Sequence, residues 1–134
     1  MRSKYLAATL IALAASTGAA MAGNAPAEAT SCEGNSYHPT GNAGWVTGTG
    51  IVDCTSPIYQ IHPVIELQKR YPDGWVTLTR EPTDCYNTSG CGRGAAASNP
   101  GRGEYRTKTG GWVRATRTAD SFNVTPRYSA SFTV

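Results

Sequence analysis

From residue 45 to the end of the chain, apolar and polar positions alternate with a period of two in one stretch after another. In "WVTGTGIVDC" the set Val46, Gly48, Gly50, Val52 and Cys54 alternates with Trp45, Thr47, Thr49, Ile51 and Asp53. Such alternation puts one set on each face of a strand, and the recurring glycines predict a pleated backbone that packs closely against a neighbour. "IYQIHPVIELQKR" sorts Tyr59, Ile61, Ile65 and Leu67 onto one face and Gln60, His62, Val64, Glu66 and Gln68 onto the other. Pro63 has no N–H to give a ladder, which predicts an edge or a bulge there. "YPDGW" supplies an Asp73-Gly74 turn and launches "WVTLTR", with Val76 and Leu78 inward, so residues 58–80 read as one long hairpin.

"GEYRTKTGGWVRATRT" predicts a second hairpin with Gly110-Gly111 at its tip, and "RYSASFTV" a final strand in which Tyr128, Ala130, Phe132 and Val134 alternate with Ser129, Ser131 and Thr133. Residues 87–103, "NTSGCGRGAAASNPGRG", are low in complexity and rich in glycine, and read as a mobile loop. No stretch shows an amphipathic helical pattern of useful length. Five to seven strands separated by turn residues predict an all-β fold, a single small Ig-like antiparallel β-sandwich with two disulfides. A small closed barrel is the alternative.

The start of the chain changes what composition means. Arg2 and Lys4 precede the apolar "YLAATLIALAA", which is too short to span a bilayer, and Ala20-Met21-Ala22 fits the small-x-small rule of signal peptidase. Residues 1–22 are therefore expected to be a signal peptide, 23–31 a flexible N-terminal tail and 32–134 the β-domain, which makes the mature protein secreted. Removing the leader leaves ten basic and nine acidic side chains, a net charge of +1. A nearly neutral chain lacks the field that nucleic acid or anionic lipid rewards, so neither nucleic acid nor, in the mature form, a membrane is an expected partner. The charges are asymmetric all the same: residues 93–134 carry seven basic side chains against Glu104 and Asp120.

An exported chain of this size with four cysteines predicts a disulfide framework rather than a metal site. Three pairings exist, and Cys32 with Cys54 plus Cys85 with Cys91 is the sequence-local one. Catalytic chemistry finds little support. His38 and His62 sit in no metal or triad spacing, "GxSxG" is absent, and the carboxylates are scattered. The expectation is a protein that is not an enzyme and needs no cofactor or metal. Trp45, Trp75 and Trp112 each begin a strand; they either plug the ends of the core or form an aromatic surface for sugar rings or a protein. The tail residues Asn24, Ala25, Pro26, Ala27, Glu28, Ala29, Thr30 and Ser31 are small and mostly uncharged. Such a segment either is a tail with no role of its own or, extended, suits a partner's groove or pore, at an ordering cost on the order of 10 kcal/mol that an enclosing partner has to offset.

The leader, "WVTGTGIVDC" with a preceding cysteine, the "IELQKR…DGWV" hairpin, the close cysteine pair and "YRTKTGGWV" together resemble small secreted actinobacterial two-disulfide β-sandwich proteins. Among these the adaptor subunits of umbrella toxin particles are similar in size, export and layout. The chain departs from many such proteins in lacking a cysteine directly before "LQKR". The resemblance implies an adaptor with two protein partners, a large repeat-containing toxin subunit and a lectin-like subunit, in interbacterial competition. It implies that Asn24 to Ser31 dock into the first and that the arginine-rich C-terminal segment, with Arg106, Arg114 and Arg117, grips the second. The other readings are a carbohydrate- or wall-binding module and a secreted protease inhibitor presenting the loop from Cys85 to Cys91.

Overall fold

The computed structural model describes residues 30–134; the leader and tail positions 23–29 lie outside them. Within these residues the chain is all β: β1 (Cys32–Asn42), β2 (Trp45–Tyr71), β3 (Gly74–Pro82), β4 (Cys85–Ser98), β5 (Glu104–Arg114), β6 (Ser121–Asn123), β7 (Arg127–Tyr128) and β8 (Phe132–Thr133). Every ladder is antiparallel, and all eight strands belong to one sheet, where the sequence reading expects two sheets stacked as a sandwich. The reason is β2, which runs for 27 residues and changes partners along its length. Its first half lies between β1 and β4, with pairs such as Cys32↔Cys54 and Val52↔Cys91. Its second half lies between β3 and β5, with pairs such as Arg70↔Trp75 and Ile65↔Thr109.

The β2–β4 ladder is interrupted between Asp53 and Ile58. There the sheet folds over, so that β1 meets β5 along one margin and β4 meets β3 along the other. These margins are joined by hydroxyl groups rather than by ladders. Thr107 Oγ1 donates to the Tyr37 carbonyl (2.7 Å), Thr109 Oγ1 to that of Asn35 (3.2 Å) and Thr79 Oγ1 to that of Ala96 (2.9 Å).

Between the facing halves the core divides in two. Val52, Ile58, Ile61, Val113 and Val124 gather around the cysteines, while Val46, Ile65, Leu67, Ala95 and Tyr105 form a second cluster. Between the clusters Gly48 and Gly50 face Thr107 and Thr109. A Cβ on Gly48 would collide with Thr107 Oγ1, and one on Gly50 with Thr109 Oγ1 and with Ile65 Cδ1 at 2.9 Å. Of the two alternating sets in "WVTGTGIVDC", Val46, Gly48, Gly50 and Val52 are the buried one, with glycine where the layers approach.

Four sequence expectations are corrected. Residues 87–103 are largely strand: β4 pairs with β2 from Trp45↔Ser98 to Ile61↔Cys85, and its small residues let it lie close, since a Cβ on Gly92 would stand 2.9 Å from the Gly50 carbonyl oxygen. Gly110-Gly111 is no hairpin tip, because β5 continues through it in unbroken register with β2. Gly111 has φ +117° and faces Pro63, and a Cβ there would run into the His62 carbonyl oxygen. The final strand survives only as β7 and β8. Ser129 Oγ between them accepts from Thr107 N (2.9 Å), taking a donor that a continuous ladder would use. Val76 is exposed although it pairs with Lys69 on the face of Leu67, because it sits near the Asp73-Gly74 end of the hairpin, beyond the core cluster.

Pro63 lies inside the long central strand, yet where the flanking edge is broken. β3 ends at Pro82 opposite Val64, β4 begins at Cys85 opposite Ile61, and the Pro63 carbonyl accepts from Thr83 N (3.1 Å) in the gap. The disulfides are Cys32–Cys54, between directly paired residues of β1 and β2, and Cys85–Cys91, within β4. Two such bridges fit an oxidising, extracellular environment.

Candidate functional site

The half of the sheet made by β3, β2 and β5 turns a polar and aromatic face outward. Alternation sends every second residue there, and register brings them side by side: Gln60↔Arg114, His62↔Trp112, Val64↔Gly110, Glu66↔Lys108 and Gln68↔Arg106 along β2 and β5. From β3, Arg80 stands opposite Glu66, Thr77 opposite Gln68 and Trp75 opposite Arg70, while β7 places Tyr128 opposite Lys108.

One end of this face is an alternating series of cations and rings. The Arg106 guanidinium carbon lies 4.3 Å from the Trp75 ring centroid and 4.1 Å from that of Tyr128. Arg70 lies 5.7 Å from the Trp75 centroid and Lys108 Nζ 5.9 Å from that of Tyr128, which extends the series at both ends. Gln68 orders it from below, its Oε1 accepting from Arg106 Nε (2.8 Å) while its Nε2 donates to Glu66 Oε1 and Thr77 Oγ1 (3.2 Å each). Partial burial pulls the Arg106 pKa below the ordinary arginine value, Tyr128 opposes that and Arg70 adds to it; a guanidinium stays charged throughout.

The other end centres on His62, whose ring stacks on Trp112 at 4.7 Å with the planes 19° apart. His62 Nδ1 and Asp84 Oδ1 are hydrogen-bonded at 2.8 Å, and Gln60 Nε2 donates to the same oxygen at 3.0 Å. Partial desolvation raises the Asp84 pKa, but the bonds from His62 and Gln60 and the charge of His62 outweigh it, so the carboxyl titrates below its ordinary value. Arg114 lies 5.6 Å from the Trp112 centroid. Between the two ends is an open trough of about 400 Å³, floored by Val64 and Gly110 and walled by Trp112 and His62 on one side and Glu66, Arg80 and Lys108 on the other.

Of the residues singled out from sequence, Arg106, Arg114, Trp75 and Trp112 come together on this face. Arg117 is exposed in the turn after β5, beside Tyr59 and Pro57 and off the face. Trp45 sits at the β1–β2 turn, 53% exposed, in the other half of the sheet. The tryptophans therefore neither gather at one end nor plug the core. In the tail segment, Asn24 to Ala29 lie outside the described residues, while Thr30 is buried and shares a hydrogen bond with Ser56 Oγ (2.6 Å). Ser31 N donates to Thr55 Oγ1 (3.1 Å), and Ser31 O accepts from Thr55 N (2.9 Å). Sequence reasoning missed Tyr128, Gln68, Asp84 as the partner of His62, and the trough. The signal was the outward set Arg106, Lys108, Gly110, Trp112 and Arg114, hidden by reading Gly110-Gly111 as a turn.

Comparison with protein-family models, curated proteins and solved structures finds no match to this chain. The functional reading therefore rests on the face itself and on the resemblance read from the sequence.

Proposed function

We propose that the protein is a secreted, non-enzymatic adaptor, a small sandwich-like module that holds protein partners together in an extracellular complex. The observation that carries this reading is the outward series Arg70, Trp75, Arg106, Tyr128 and Lys108. Tryptophan, tyrosine and arginine on one ordered patch are the side chains that concentrate binding energy at protein interfaces. Each ring in the series has two cations within 6 Å of its centroid, and Trp112 has His62 and Arg114. Aromatic planes engaged in this way are poor platforms for sugar rings, which favours a protein over a glycan. The resemblance to umbrella-toxin adaptors supplies the candidate partners, a repeat-containing toxin subunit and a lectin-like subunit.

The test is affinity purification of the tagged mature protein from culture supernatant. The expected result is one or two stoichiometric companions, at least one of them lost from an Arg106→Gln/Trp75→Ala variant that still folds. A monomer with no companion overturns the reading. A carbohydrate-binding reading is favoured by one observation, Trp45, whose exposed indole has no ring or cation against it among the described residues. Quenching of tryptophan fluorescence by a glycan, absent in Trp45→Ala, would support it.

A further inference from the structure

We infer that the outer face of β2 and β5 holds an extended acidic segment of a protein partner, with one apolar side chain of that segment seated in the trough over Gly110. This rests on the protein-binding reading above and names the chemistry of the partner. Among the described residues, the ion pairs are His62–Asp84, Arg80–Glu66, Arg93–Glu81 and Arg127–Glu33. Arg70, Arg106, Lys108 and Arg114 are in none of them, so four cations on one face are left for an outside carboxylate. Glu66 does not neutralise them: its Oε1 accepts from Thr77 (2.7 Å) and Gln68, and its Oε2 lies 4.0 Å from Arg80.

The spacing selects an extended chain. Arg106, Lys108, Gly110, Trp112 and Arg114 are alternate residues of one strand, so they repeat about every 6.7 Å, as do the same-side residues of a ligand strand lying along them. Such a ligand meets two cations, then the trough, then the indole, then a third cation.

Gly110 supplies the socket. Its backbone has no positive φ, so the conformation does not demand glycine, and a Cβ there would meet nothing within 4 Å. The missing side chain opens the floor beside Val64, and the trough of about 400 Å³, lined also by Trp112, Val124 and Pro126, is of a size to accept an apolar side chain. Glu66 and Asp84 interrupt the positive charge on either side of it, and the net charge of the chain without its leader is only +1. Both features disfavour a uniform polyanion and favour spaced carboxylates flanking an apolar residue.

The experiment is a display selection from a random peptide library on the purified mature protein, followed by titration of the enriched peptides against variants. The expected sequences carry carboxylates at every second position around an apolar residue. Gly110→Val fills open space at a strand position where valine is at home, so thermal unfolding is expected to be unchanged while affinity falls at least about tenfold. Arg106→Gln/Lys108→Gln is expected to weaken binding by about tenfold and to flatten its salt dependence. Enrichment of nothing, or of sequences without carboxylates, overturns the proposal, as does unchanged affinity in Gly110→Val. Tighter binding of heparin than of any peptide, insensitive to Gly110→Val, overturns it in favour of a polysaccharide. If companions co-purify from supernatant yet Gly110→Val keeps them all, the adaptor reading stands and this inference fails.

Discussion

Arg106 stands between Trp75 and Tyr128 with its Nε on Gln68, and three favourable contacts depend on its one planar cation. A half-buried cation–ring contact contributes about 0.5–2 kcal/mol and a hydrogen bond about 1 kcal/mol. Arg106→Gln is accordingly expected to lower stability by about 1–3 kcal/mol in urea titration, whereas Lys108→Gln, which touches Tyr128 only from 5.9 Å, is expected to cost less than about 0.5 kcal/mol. His62 and Asp84 give a pH signature. The folded-state pKa of Asp84 is depressed, so the folded protein binds fewer protons than the unfolded chain in the acid range. The stabilisation from this carboxylate is present above the unfolded value of about 4 and is lost as pH falls through the lower folded value. Asp84→Asn is expected to flatten the acid limb of stability against pH, measured from pH 7 down to about pH 2, relative to the parent.

At the scale of strands, the two kinds of glycine behave oppositely. Gly50 has no room for a Cβ between Thr109 and Ile65, whereas Gly110 has open space. Gly50→Ala is expected to destabilise by about 1–3 kcal/mol through overpacking, and Gly110→Ala to be neutral or slightly stabilising, both read from chemical denaturation. These strands were legible in the sequence to different degrees. The β2–β3 hairpin was plain because its Asp73-Gly74 turn and its alternation are local signals, whereas the alternation around Gly48 and Gly50 gave two faces without telling which is buried. β4 was hidden because a strand of glycine and alanine has no apolar alternation to read, and its fit depends on Gly50 and Ile51 of another strand. β5 was cut in two because Gly110-Gly111 imitates a turn, while the requirement for Gly111 comes from the His62 carbonyl on β2. The outer face of β2 and β5 shared that fate. Its arginines and tryptophans could be named from sequence, but their neighbours Tyr128, Gln68 and Asp84 arrive through pairings between distant segments.

For the molecule as a whole, the two bridges act at different places. Cys32–Cys54 closes 22 residues beside the fold-over of the sheet, and Cys85–Cys91 closes six within β4. Chain-entropy arguments put their contributions at about 3 and about 2 kcal/mol, large parts of the roughly 5–15 kcal/mol that hold a domain together. Replacing Cys32 and Cys54 with serine is therefore expected to lower the urea midpoint more than replacing Cys85 and Cys91, with fluorescence and circular dichroism moving together. That coincidence follows from β2, the one strand that both halves of the sheet share. Neither half keeps a middle strand if the other lets go, so amide protons of Val52 and Leu67, on opposite sides of the fold-over, should escape to deuterated solvent through the same global opening.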